Sequence, residues 1–441
     1  MKYLVVDPVS NSLDACFLSV YDKDATFLYQ HITNPSNPQI DKITEKDYTN
    51  LCFDAFKTMN MFDFKFKFLY DIKVIYELAG YSFRNLIDLG KQVLGENRLA
   101  YYEDLSSRMN AHMRSYRAAK IDTKRYDRKQ LLPQDLFEKL YLERSAVITE
   151  LFKEFDEEAV LEFYDTMFKN VRVLYDISKD PINIDLAAVE DISNHHISSV
   201  KKWSVDNKLY LKFNAVGAKT GRLSFKKSTV NIYGMPKPVR KCIVPKEGYS
   251  IVQFDFKSFQ PRLAIFSTKD EEFKDRFKDI EDIYSIFPGD RAKNKLAFIA
   301  WMFSNMRNEL FGEEAKPIQE MRDELYREAI STGKLVNDFG RVLHFHHEKK
   351  NAVYQNYITS LEVDVILTLV RWINPVLSNR KSRILFPFHD SIVFEIHEKE
   401  RELIPAIKNF METLHRNQLG TLLPVDVQEG RSFGEMNGVH S

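Results

Sequence analysis

The chain is 441 residues long, more than one ordinary hydrophobic core holds and enough for two or three domains. With 44% hydrophobic and 29% charged residues it is neither disordered nor fibrous, and no apolar run approaches the roughly 18 residues that span a bilayer. Lys and Arg number 63 and so do Asp and Glu, so the net charge is zero and a polyanion must be met by a local basic patch.

The opening MKYLVVDPVS lacks the charged-then-apolar layout of a signal peptide. Cys16, Cys52 and Cys242 cannot build a disulfide framework, and no CxxC or His/Cys cluster points to zinc. A reducing, cytoplasmic setting without a membrane partner is expected, the host's cytoplasm if the chain is phage-encoded. Tyr3–Val6 and Ala15–Tyr21, separated by the turn-forming residues 7–14, predict a hairpin within residues 1–30. Helical periodicity then dominates from about Lys46 to Asn170, clearest in Leu131–Phe155 and Glu158–Leu174.

Between Lys201 and Lys246 there are twelve Lys or Arg residues against one acid, Asp206. Such a run is often a solvated face. Here Trp203, Tyr210, Phe213, Phe225 and Tyr233 are interleaved with the cations, a mixture that suits a nucleic-acid backbone and its bases. Downstream, Ser250–Asp255 predicts a buried strand ending in a carboxylate. Helices are predicted over Arg291–Met306 and Leu361–Ile373, and Ile384–Ile396 reads as strand, turn and strand with His389 and Asp390 at the tip.

An acid adjoining a buried strand is costly unless it is paired or binds metal. Asp255 and Asp390 could each cap a turn or meet a nearby Lys. Together, on neighbouring strands and downstream of a basic aromatic segment, they are what a two-Mg²⁺ phosphoryl or nucleotidyl transfer site needs. Between them Arg291, Lys295, Ile299 and Phe303 step by four along one helical stripe. That stripe is either an amphipathic helix with a basic end or a face on which a triphosphate meets the two cations.

In order along the chain stand Thr220-Gly-Arg-Leu-Ser224, Val230-Asn-Ile, Val239-Arg-Lys and Pro245-Lys-Glu-Gly-Tyr249. Asp255-Phe-Lys-Ser-Phe-Gln-Pro-Arg-Leu-Ala264, the 291–303 helix, Val336-Asn-Asp-Phe-Gly-Arg341 and Phe388-His-Asp-Ser391 follow. This series resembles the TGRLS, QNIP, IRRAF, PEGY, motif A, motif B, TxFGR and motif C elements of the family A DNA polymerases, related to bacterial DNA polymerase I. The resemblance implies an α+β right-hand polymerase with an antiparallel palm sheet and helical fingers and thumb. It implies two Mg²⁺ ions on Asp255, Asp390 and the Phe256 carbonyl, and an incoming dNTP on Arg291, Lys295, Ile299, Phe303 and Gln260. Arg222, Asn231, Arg240 and His389 would contact primer–template DNA. A monomer is expected, with any processivity partner undefined.

The departures from the family pattern bear on specificity. Gln260 stands for the motif A Glu beside the sugar 2′ position, Ile299 and Phe303 for the motif B Phe and Tyr, Ser304 for the following Gly, and Ser391 for the motif C Glu. Gln260 and Phe303 are expected to compensate, a neutral amide facing a ring without a hydroxyl. The family's Asn and Gln before motif C fall around Gln355–Thr359 without a firm alignment. Two rival readings remain: an enzyme of the same fold that makes RNA or primers, and a primer–template binding protein without turnover.

More weakly, residues 1–152 resemble a small α/β 3′–5′ exonuclease domain. Tyr3–Pro8 would be its first strand, and Phe68–Asp71 to Gly95 a later helical segment. Val9 and Ser145 stand where carboxylates would be, so a degenerate domain without proofreading is expected. The remaining expected boundaries are a thumb at 153–204, palm at 205–290 and 351–441, and fingers at 291–350.

Overall fold

A computed structural model of the chain describes residues 3–8, 16–21, 28–32, 48–53, 69–119, 131–192, 195–215, 218–226, 228–278, 280–285, 287, 289–303 and 315–438. Its contacts form two compact units, Met1–Phe168 and Lys169–Ser441.

In the first unit, β1 (Tyr3–Pro8), β2 (Cys16–Tyr21), β3 (Leu28–Ile32), β4 (Thr49–Cys52) and β5 (Tyr70–Asp71) form one sheet in the order β3-β2-β1-β4-β5. The expected hairpin is β1–β2, with Tyr3 opposite Tyr21 and Pro8 opposite Cys16. The helical reading from Lys46 fails at β4. Four residues are too few for a period of two to register, and β4 exists because it pairs in parallel with β1, bringing Leu51 and Cys52 into the core.

Among the described residues of this unit are the helices α1 (Ile72–Leu78), α2 (Leu86–Leu94), α3 (Glu96–Ala118) and α4 (Gln134–Glu154). Asp71 and Asn85 cap α1 and α2 by accepting the N–H groups of Lys73 and Asp88, each at 3.0 Å. Val147, Ile148 and Leu151 of α4 join Leu4, Val5 and Leu51 in the apolar core. Ser145 is buried in α4, its hydroxyl donating to the Tyr141 carbonyl at 2.8 Å. Val9 lies outside the described residues.

The division at 168 falls within α5 (Glu158–Lys179) rather than at 152. Tyr164 explains this: its hydroxyl donates to the Leu69 carbonyl at 2.7 Å and accepts the Asp71 N–H at 2.6 Å, tying the start of α5 to the end of β5.

The second unit continues with β6 (Ile182–Ile184), α6 (His195–Trp203), β7 (Ser204–Val205), β8 (Lys208–Leu209), β9 (Phe213–Asn214), β10 (Ser224–Phe225) and β11 (Ile243–Val244). Asp206 and Asn207, with φ of 50° and 58°, make the two-residue turn that joins β7 to β8. Next come β12 (Tyr249–Phe256), α7 (Phe259–Phe266), α8 (Glu271–Lys278), α9 (Arg291–Phe303), α10 (Lys316–Thr332), β13 (Lys334–Val336), β14 (Val342–His344) and α11 (Lys350–Leu377). The unit closes with β15 (Arg383–Phe388), β16 (Ser391–His397), α12 (Leu403–Thr413), α13 (Arg416–Leu419), β17 (Val425–Ser432) and β18 (Glu435–Gly438).

The main sheet runs β15-β16-β12-β17-β18 and is antiparallel throughout, as expected of a palm. The strand–turn–strand reading of 384–396 is β15–β16. Helix α11 extends well beyond its predicted span of 361–373 and packs against β15, β16, α7, α9 and α10. It is buried along most of its length, so its apolar residues surround the helix instead of forming a stripe, which hid its ends from a periodicity argument. Among the described residues no helix is long and apolar enough to cross a membrane.

Candidate active site

Strand β12 is central in the main sheet, and its apolar residues Ile251, Val252 and Phe254 are fully buried. Its antiparallel register sets Asp255 opposite Ser391 on β16 and opposite Asp426 on β17. Asp390 belongs to the turn joining β15 to β16, where His389 takes a left-handed φ of 52°. That conformation is unfavourable for a side chain with a Cβ, so the turn must be held from outside. The Phe256 N–H donates to the Asp390 carbonyl at 3.2 Å, the Tyr233 hydroxyl to the Pro387 carbonyl at 3.1 Å, and the Ser391 hydroxyl to the Phe388 carbonyl at 2.7 Å. Ser391 also accepts from Gln253 at 2.9 Å, so its hydroxyl is used inside the sheet.

Two acids in this sheet, Glu395 buried and Asp255 half-buried, have different surroundings. Glu395 accepts from Arg383 at 2.8 Å and from the Lys246 N–H at 2.9 Å. Asp255 has a buried Oδ1 without a hydrogen bond among the described residues, and its neighbours are Asp390 and Asp426. Burial first, then these two acids, push the Asp255 carboxyl up to about 7, while Lys295 pulls it the other way. Among the described residues no three His, Cys, Asp or Glu side chains are arranged as a complete cation cage. Two carboxylates, one with an orphaned oxygen, fit Mg²⁺, which retains waters and takes substrate phosphates beside one or two carboxylates. Asp426 is held by Lys257 at 3.0 Å, and Lys257 also binds Glu281 at 2.6 Å.

These acids line a cleft of about 690 Å³, entirely within the second unit. Its other wall is α9. Asp290 caps that helix by accepting the Lys293 N–H at 2.9 Å. Asn294, Phe298, Trp301 and Met302 form its buried face, and Asn294 donates to the Phe287 carbonyl at 2.9 Å. The opposite stripe therefore faces the cleft with Arg291, Lys295 and Ile299. Arg291 donates to Asp282, and that pairing holds its guanidinium more basic than usual. Phe303 does not line the cleft. It is half-buried, its ring 6.3 Å from that of Tyr354, and Ser304 is outside the described residues.

Gln260 lines the cleft from α7, but its partner differs from the expected one. Instead of a neutral amide without a partner facing Phe303, its Nε2 donates to Oε2 of Glu362 on α11. Glu362 is 3% exposed, and its second oxygen, Oε1, accepts from Arg222 Nη2 at 3.4 Å. Burial raises the Glu362 carboxyl above its ordinary range, with Arg222 and Gln260 acting in the opposite direction. A buried carboxylate is thus present beside the site after all, in paired form. The sequence held a signal for it: an acid within the apolar ITSLEVDVILTLV invites the same question as Asp255.

Arg222 follows Gly221, whose φ is 76°. A Cβ at Gly221 would lie 2.4 Å from Cζ of Arg341, so the loop needs glycine for both its backbone and its packing. Arg341 is buried and pairs with Asp364 of α11 at 2.6 and 2.9 Å, while Asn337 donates to Asp364 at 2.8 Å. The 336–341 segment is therefore a strut between α11 and the loop that carries Arg222.

The other two expected DNA contacts stand apart from the cleft. Asn231 is exposed and accepts the Tyr233 N–H at 3.1 Å. Arg240 donates to the Met235 carbonyl at 2.8 Å, with its guanidinium 4.6 Å from the Phe388 ring. His389 does line the cleft, its ring 4.9 Å from Tyr233.

No family model matches the sequence. The structure is similar to the POL domain of Pol1 from M. smegmatis, solved in complex with DNA primer-template and dNTP. The TM-score is 0.73 and the identity 14%, over 98% of this chain and 95% of that one. At that identity the likeness is one of fold. The chain has the fold of the polymerase domain of a bacterial DNA polymerase I.

Proposed function

We propose that this protein is a template-directed DNA polymerase that adds deoxynucleotides to a primer 3′ end. The observation that carries this reading is one cleft with Asp255 at the end of a strand, Asp390 in the turn beside it, and Arg291, Lys295 and Ile299 on the helix opposite. The likeness in fold to a domain solved with primer-template and dNTP supports it.

In this reading Arg291 and Lys295 hold the triphosphate, with Arg291 exchanging Asp282 for phosphate oxygens. Ile299 supports the base, and Gln260 lies beside the sugar. Asp255, Asp390 and the Phe256 carbonyl would hold two Mg²⁺ ions, which lower the pKa of the primer hydroxyl and offset charge on the departing pyrophosphate. Arg222 and His389 contact the primer terminus, and the basic segment from Lys201 to Lys246 meets the DNA backbone. The first unit, to Phe168, is a degenerate exonuclease-like domain, the thumb follows to residue 204, and 291–350 are the fingers.

Primer extension in Mg²⁺ with separate dNTP and rNTP pools tests the proposal. Wild type should extend with dNTPs. Asp255→Ala and Asp390→Ala should each remove extension while primer–template binding, measured by fluorescence anisotropy, stays within about threefold, because binding rests on the cations. Turnover above a few per cent in either variant would contradict the assignment. Wild-type extension with rNTPs as efficient as with dNTPs would favour RNA synthesis.

A further inference from the structure

We infer that Glu362 is a positioning residue for sugar selection: its carboxylate fixes the Gln260 amide and tethers Arg222, so that the trio resists a ribose better than Gln260 alone. The inference rests on the polymerase reading above and adds a residue to it.

The fold gives no reason for an acid at this position. The adjoining helix residues Leu361, Val363, Val365 and Ile366 are buried and apolar, and an unpaired carboxylate among them would be costly. Asp364, on the same helix, is a useful contrast. Its partners Arg341 and Asn337 are themselves buried, so it serves the strut. Both partners of Glu362 line the cleft instead, and each takes one of its oxygens.

A glutamine side chain is long, and the torsion that turns its amide is soft. Alone it would yield to a sugar carrying one more hydroxyl, since loose contacts discriminate weakly. One hydrogen bond to a buried carboxylate sets the plane and direction of the amide. The other oxygen keeps the half-exposed Arg222 at the same anchor, which couples the side chain proposed for the primer terminus to the one proposed for the sugar.

Single-nucleotide insertion with matched dNTP and rNTP, read as kcat and KM, tests this. Glu362→Ala should raise the dNTP KM and narrow the dNTP/rNTP ratio of kcat/KM about tenfold, the worth of one hydrogen bond to a charged group. Its kcat should stay within about threefold. Glu362→Gln, which keeps one acceptor, should recover part of the ratio. Gln260→Glu alone sets two carboxylates together and should cut dNTP incorporation roughly a hundredfold. Combining it with Glu362→Gln re-forms the amide–carboxylate pair in reverse order and should restore incorporation to within about fivefold of wild type. If Glu362→Ala loses thermal stability, this swap, which keeps both side-chain volumes, decides alone. Primer extension by wild type, with an unchanged ratio in Glu362→Ala or no rescue by the swap, overturns the inference alone. A wild type that adds neither nucleotide overturns the polymerase reading and this inference with it.

Discussion

Asp255→Asn should stabilise the protein in the absence of divalent cations while removing nucleotide addition. Partial burial and then the neighbouring Asp390 and Asp426 push the wild-type carboxyl up to about 7 from an ordinary value of 3.8. A carboxylate whose pKa is raised on folding costs nothing at low pH, where both states are protonated. The penalty grows as pH rises from about 4 to 7 and is complete above that window. About three pKa units correspond to an upper bound of about 4 kcal/mol at pH 8. Solvent in the cleft reduces what Asn recovers to about 1–2 kcal/mol. The new amide can also donate to Asp390, replacing a repulsion with a hydrogen bond. Thermal melts in EDTA at pH 8 should place the variant about 2–4 °C above wild type. At pH 5 the gap should shrink, because much of the penalty has yet to develop. Adding about 10 mM Mg²⁺ should stabilise wild type but not the variant, closing the gap by mass action. A variant less stable than wild type at pH 8, or a gap independent of pH, would refute this account of the acid pair.

Three further outcomes follow from the same geometry. Lys295→Ala should raise the dNTP KM by about tenfold or more in primer extension, with little change in DNA affinity, since Lys295 is exposed on the cleft wall and withdrawn from the main sheet. Arg341→Ala should cost about 3–5 kcal/mol in urea denaturation, because Asp364 is left as a buried charge without its cation; a loss below about 1 kcal/mol would show that the strut is dispensable. In Mg²⁺ without nucleotides the protein should leave a mismatched primer intact, and shortening that survives in the Asp255/Asp390 double mutant would reveal a nuclease site.

Features written into short stretches of sequence were legible without the fold. The apolar runs that end in Asp255 and flank Asp390 have the length of strands, and all three form. The step of four from Arg291 to Ile299 placed three side chains on one helical face, and that face borders the cleft. In each case local backbone geometry alone dictates which side chains share a surface.

Partners across strands and helices obey a different rule. That Asp255 meets Asp426 depends on the register of β12 with β17, a long-range pairing that no local period encodes. That Gln260 finds Glu362, 102 residues away, depends on how α7 packs on α11. Strand β4 exists because β1 and β5 supply its ladder on either side. Phe303 continues the stripe in sequence yet leaves the cleft, because packing decides where a helical face ends. Sequence determined which elements carry the charges; tertiary packing decided which charges face one another, since burial and register are properties of the assembled sheet and helices.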